Sequence, residues 1–112
     1  MKSFVVKTNR TQQSRQLFAF KGESQEVQYD FAPWEEDNGS VSSVAWSTES
    51  GQAGITNEAL ASSVASASIT TNEAGKSLVK ITATAGNNTF VTYLHVMSKD
   101  PKLTYHDSYY YN

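Results

Sequence analysis

Three features of the 112-residue chain predict an all-β fold, an antiparallel sandwich of six or seven strands. Apolar and polar residues alternate with period two along several separate runs, the pattern of strands with one buried face. Clusters of Gly, Asn, Asp, Ser and Pro separate those runs and supply the turns. The third feature is composition: 15 Ser, 11 Thr, 7 Asn and 6 Gln outweigh the charged residues, which make 18% of the chain. Helix surfaces favour Glu, Lys and Arg, whereas Thr and aromatic residues favour exposed strand faces. An open barrel satisfies the same periodicity and stands as the alternative.

Residues 1–15 open with the apolar triplet Phe4-Val5-Val6 and then run polar to Arg15. Four of the nine basic residues, Lys2, Lys7, Arg10 and Arg15, fall here with no acid. The segment reads as a basic N-terminal arm, loose in isolation and ordered against a partner. The domain proper is expected over 16–100. Leu17-Phe18-Ala19-Phe20 forms a short strand closed by Lys21-Gly22. Val27-Gln28-Tyr29-Asp30-Phe31 alternates regularly until Pro33, which cannot donate to a ladder. Glu35-Glu36-Asp37-Asn38-Gly39-Ser40 reads as an acidic turn, and the following strand puts Val44 and Trp46 on one face. Ala53-Gly54-Ile55-Thr56 reads as a short strand, and residues 57–63 either turn once as a helix capped by Asn57 or stay a loop. Residues 64–71 alternate small residues with Ile69. Val79, Ile81, Ala83 and Ala85 face inward on the next strand, Gly86-Asn87-Asn88 signals a hairpin, and residues 89–97 return. The expected core is Val27, Tyr29, Phe31, Val44, Trp46, Ile69, Val79, Ile81, Leu94 and Val96. Phe18, Phe20 and Phe90 also sit at alternating positions and read as core, while Trp34 plugs one end of the sandwich. After Pro101 the alternation ends, and residues 101–112 read as an aromatic C-terminal tail.

The same residues exclude several functions. With no cysteine there is no disulfide framework, thiolate metal site or thiol nucleophile. Nine basic against eleven acidic residues give a charge of −2, which argues against a nucleic-acid surface. No apolar run approaches the ~20 residues of a membrane helix, and no signal-peptide core follows Met1, so an uncleaved, cytosol-made domain is expected. His95 lies within a strand and His106 in the tail, so the two histidines form no metal-ligand pair. His106-Asp107 lacks the preorganised nucleophile and oxyanion hole of a triad. Glu35, Glu36 and Asp37 carry oxygen ligands for calcium, but contiguous carboxylates lack the alternate spacing of a calcium loop. No catalytic residue, metal or cofactor is therefore assigned. Contact chemistry concentrates elsewhere. Arg10 and Arg15 suit bidentate pairs with carboxylates, and Trp34, Tyr105, Tyr109, Tyr110 and Tyr111 suit apolar pockets on a protein partner.

Two sets of residues carry a resemblance. Val41, Val44 and Trp46 on one strand, Ile81-Thr82-Ala83-Thr84-Ala85-Gly86 on a later one, and the Leu94-His95-Val96 return strand are similar to bacterial-type Ig-like domains. Tyr29-Asp30-Phe31 followed by Trp34, ahead of the Trp46 strand, resembles tailed-phage fibre–tail adaptor proteins of Ig-like fold. Together these motifs span residues ~25–98. The resemblance implies an Ig-like β-sandwich acting as a non-enzymatic virion structural protein. Its partners would be other virion proteins of tail, fibre, portal or capsid, bound in many symmetric copies through the two terminal segments. It would be made in the host cytoplasm and reside in the virion, with no nucleic-acid or membrane partner. A capsid decoration protein and a carbohydrate- or protein-binding adhesion module are the alternatives.

Overall fold

A computed structural model describes residues 2–6 and 15–99, which form two four-stranded sheets packed face to face. In chain order the elements are β1 (Lys2–Val5), β2 (Arg15–Phe20), β3 (Ser24–Asp30), α1 (Ala32–Asn38), β4 (Ser43–Ser50), β5 (Ala53–Ala61), β6 (Val64–Thr71), β7 (Gly75–Ala85) and β8 (Asn88–Lys99). The first sheet runs β1-β3-β6-β5 and the second β2-β8-β7-β4. The all-β sandwich is as expected, but it is not purely antiparallel. Both β1 with β3 and β2 with β8 pair in parallel, because the chain enters each sheet at its edge by a crossover rather than by a hairpin.

Following the chain places the connections at two ends. The β3–α1–β4, β5–β6 and β7–β8 connections share the upper end, and residues 21–23, 51–52 and 72–74 share the lower one. Strand alternation builds the core: Leu17, Val27, Tyr29, Ile69, Val79, Ile81, Leu94 and Val96 are buried. Val44, expected in the core, is half-buried and packs against its margin.

Four expectations are corrected here. Phe18 and Phe20 are 58% and 45% exposed, whereas Leu17 and Ala19 point inward. A run of four apolar residues offers two phases, and pairing with β8 selects the one that buries Leu17 beside Val96. The acidic turn is the helix α1, with proline in its first turn and Gly39 closing it at φ 94°. Residues 57–61 complete β5 and only 62–63 make a turn, with no helix; a bulge at Asn57, φ 56°, interrupts the pairing. Finally, residues 2–6 of the expected arm are part of the sandwich. Lys2–Val5 extend the first sheet, and Val6 is buried. Residues 7–14 and 100–112, which hold the rest of the arm and the tail, lie outside the described residues.

Aromatic rings form a continuous column between the sheets. Phe4 lies 5.1 Å from Tyr29, Tyr29 meets Trp46 edge-on at 5.8 Å, and Tyr29 stacks on Phe31 at 6.4 Å. Phe31 then contacts Trp34 and Phe90 at 6.2 and 6.1 Å. Among the described residues the Tyr29 phenol has no hydrogen-bond partner, and it is buried. Its pKa is pushed up by burial, with Arg15 acting weakly in the opposite direction.

Two substitutions check this packing. Tyr29→Phe removes a buried hydroxyl that gains nothing in the fold, so it is expected to leave stability unchanged or raise it by about 1 kcal/mol in denaturant titrations. Gly51→Ala is expected to cost about 1–3 kcal/mol. Gly51 has φ 88°, and a Cβ there would stand 2.5 Å from the Lys76 carbonyl oxygen.

Candidate functional site

At the upper end three connections converge, and local sequence explains their shapes. Phe31 caps α1 without a side-chain bond, so the Asp30 carboxylate takes the Ala32 N–H at 3.0 Å instead. Proline fits the first turn, where a missing N–H costs nothing. The helix turns Trp34 inward, and Trp34 and Phe90 meet at 5.8 Å over the end of the core. The β5–β6 and β7–β8 hairpins have two-residue turns, with positive φ at Ser62 (55°) and Gly86 (59°). Positive φ at the first turn residue matches the twist of the flanking strands.

Glu35 ties these connections together. One carboxylate oxygen accepts the Ser63 hydroxyl at 2.6 Å, and the other accepts the Val41 N–H at 2.7 Å. The Phe31 N–H donates to the Ser63 carbonyl at 2.8 Å, and the Asn88 side chain donates to the Asn38 carbonyl at 3.1 Å. Thus helix, β5–β6 turn and β7–β8 turn are cross-linked by hydrogen bonds above an aromatic plug. The Ser63 hydroxyl first, and the Val41 amide second, hold the Glu35 carboxyl below the ordinary carboxylate value. Around this frame Glu36, Asp37, Gly39, Ser40, Ser62, Gly86, Asn87 and Asn88 are exposed. The end is therefore a fixed, acidic and amide-rich rim. Fixed loops bind a partner without a large ordering cost.

The contact residues expected from sequence distribute differently. Trp34 plugs the end as expected, and at 5% exposure it is withdrawn from any partner surface. Arg15 opens β2; its guanidinium lies 5.6 Å from the Phe4 ring centre and donates to the Val5 carbonyl at 3.3 Å, joining β2 to β1 across the two sheets. Arg10, Tyr105, Tyr109, Tyr110 and Tyr111 lie outside the described residues. Glu35, weighed above only as an oxygen ligand, is instead a hydrogen-bond acceptor within the fold. Among the described residues no three His, Cys, Asp or Glu side chains gather to hold a metal.

No protein-family model and no curated protein matches the sequence. Solved structures are alike in fold. PbICP-C, in its complex with falcipain-2, superposes with TM-score 0.57 over 88% of this chain and all of its own, at 9% identity. The cysteine protease inhibitor EhICP2 from Entamoeba histolytica gives 0.43 over 85% of this chain and 96% of its own, at 7% identity. Amebosin gives 0.42 over 88% of this chain and all of its own, at 16% identity. The superposition on PbICP-C shows a shared β-sandwich fold. The expectation of a bacteriophage structural protein, with tail, fibre or capsid proteins as partners, is overturned: the likeness in fold is to PbICP-C, solved in complex with falcipain-2. The misleading signal was the Trp46 strand with the Ile81–Gly86 run, which encodes sandwich packing and says nothing of the partner.

The Glu35 tie carries a pH signature. Because its carboxyl titrates lower in the folded chain than its ordinary 4.5, its contribution to stability is complete above that value and is lost as pH falls through the folded value. Glu35→Ala is expected to cost about 1–2 kcal/mol at pH 7. The difference in melting temperature between wild type and Glu35→Gln is expected to shrink below pH 4.5, as thermal scans across pH 3–7 will show.

Proposed function

We propose that this chain is a non-enzymatic inhibitor of a cysteine protease, binding through the upper end of the sandwich. The observation that carries the reading is the superposition on PbICP-C over the whole of that chain, a protein solved bound to the protease falcipain-2. The geometry of the upper end supports it. An inhibitor that occupies a protease cleft must present loops that resist accommodation as a substrate, and three connections pinned by Glu35, Ser63 and Asn88 have that character. Trp34 and Phe90 beneath them prevent collapse, so binding energy is not spent on ordering the loops. The exposed Glu36 and Asp37 set the charge of the rim, which suits a protease whose cleft margin is basic or neutral.

The test is a titration of the purified chain against a papain-class cysteine protease with a fluorogenic substrate, beside a serine protease as control. The expected result is saturable loss of cysteine protease activity, with the serine protease unaffected and the chain uncleaved. Replacing Ser62 and Asn87 together by Glu is expected to weaken inhibition at least about tenfold, equivalent to about 1.4 kcal/mol, while far-UV dichroism stays unchanged. Absence of inhibition by folded protein at excess over enzyme overturns the reading.

A further inference from the structure

The outer face of the second sheet differs from the rest of the surface in both charge and apolarity. On β2, β8 and β7 the outward positions alternate with the buried ones, which places Phe18, Phe20, Tyr93, His95, Met97, Lys99, Lys76, Leu78 and Lys80 on one side. The register sets Phe18 beside Met97 and Met97 beside Lys76; Phe20 lies beside Lys99, and Tyr93 beside Lys80. No acid occupies an outward position of these three strands; Glu49 stands apart at the bulged margin of β4. The outward side of β3 on the opposite sheet carries Glu26 and Asp30 with no basic residue. On the face of this sheet a chain of net charge −2 thus sets lysines beside Phe20 and Met97, while Glu23 lies past the edge of β2 against the Phe20 N–H.

Between Phe18, Phe20, Glu23, Gln25 and Lys99 lies an open hollow of about 310 Å³, with the Glu23 carboxylate on the wall beyond the edge of β2. Its polar wall is already committed. The Gln25 amide donates to the Phe18 carbonyl at 3.2 Å, and the Glu23 carboxylate accepts the Phe20 N–H at 2.8 Å. The Thr71 hydroxyl donates to the Phe20 carbonyl at 3.0 Å. These bonds stopper the free edge of β2 against addition of another strand. A ligand therefore meets the face of the sheet, where the phenylalanine rings and the lysines project.

We infer that this face is a second binding surface, which docks an acidic segment of a protein that also carries aromatic or large apolar side chains. Phe18 and Phe20, on one side of one strand, receive the apolar side chains, and Lys99, Lys80 and Lys76 receive the carboxylates. The local charge selects an acidic partner. A short acidic peptide fits better than a nucleic acid, because the three lysines do not form a continuous track for a polyphosphate, and apolar side chains between its carboxylates match the two phenylalanines. The surface lies on the flank of the sandwich, away from Glu35 and the upper end, and stands whether or not that end binds a protease.

The test uses the full chain and a random glutamate–tyrosine copolymer as probe, with polyglutamate and oligothymidylate as comparisons, by calorimetry at low and raised salt. The copolymer is expected to bind, more tightly than polyglutamate, and to weaken as salt rises. The double variant Phe18→Ser/Phe20→Ser and the double variant Lys80→Glu/Lys99→Glu are each expected to lower affinity at least about tenfold. All four side chains project outward, so melting temperatures should stay near the wild-type value, and Glu36→Gln at the upper end should leave binding unchanged. No binding of the copolymer, binding indifferent to both double variants, or tighter binding of oligothymidylate overturns the inference.

Discussion

The upper end of the molecule depends on burying two aromatic rings, Trp34 and Phe90, against Phe31. Each belongs to a different segment: Phe31 to the exit from β3, Trp34 to α1 and Phe90 to the start of β8. An aromatic side chain of this size removes about 150–250 Å² from water, roughly 4–6 kcal/mol at 25 cal/mol/Å² as an upper bound. That gain offsets the entropy of ordering a seven-residue helix that is too short to be stable alone. Once Trp34 is seated, Glu35 follows it on the next position of the helix and reaches Ser63 and Val41. The polar ties are thus a consequence of the apolar plug. Removing the plug would leave them without a frame, whereas removing the ties loosens only the rim.

Most strands were legible in the sequence because they have a clear period of two. Val27 and Tyr29, Val79 to Ala85, and Leu94 with Val96 alternate with polar partners, so only one phase buries them well. Where both phases are apolar the pattern is silent, as in Leu17-Phe18-Ala19-Phe20. There size favoured Phe for the core, while the parallel pairing with β8, a long-range contact, buried Leu17 and Ala19. The N-terminal strand was misjudged for a related reason. Phe4-Val5-Val6 is too short to show periodicity, and its place is set by pairing with β3. The helix had a readable signature in Pro33, an acidic first turn and Gly39 after its end, but the adjacent run Glu36-Asp37-Asn38-Gly39-Ser40 also satisfies turn chemistry. Seven residues do not display a helical period strongly enough to decide.

Less of the candidate site could be read. Ser63 and Asn88 are ordinary turn residues, and nothing local distinguishes them from Ser62 or Asn87. Their roles arise because the topology brings the turns after β5 and β7 under the same helix. Trp34 was correctly placed as a plug, and the same burial denies it the contact role read from sequence, whereas its neighbours Glu36 and Asp37 are exposed. Residue types suited to protein contact were thus legible, but which of them face outward was decided by packing. The phage role drawn from the resemblance erred by the same logic: the motifs are core and hairpin residues, which many sandwiches share whatever they bind.

The interior itself narrows where function can reside. Among the described residues the buried polar side chains besides the Tyr29 phenol are Thr71, Thr92 and Ser98. Thr71 is spent on the Phe20 and Glu23 carbonyls at the lower end. Tyr29 lies on β3, Thr71 on β6, and Thr92 with Ser98 on β8, whereas the charged side chains among the described residues stand outside the core, at the surface. There the fold separates its chemistry. The upper end offers carboxylates and amides on fixed turns, whereas the flank of the second sheet offers ammonium groups around Phe18 and Phe20. Electrostatics acting before contact would direct partners of opposite character to different surfaces. Rigid packing between the sheets keeps the two surfaces apart, so occupation of one need not disturb the other.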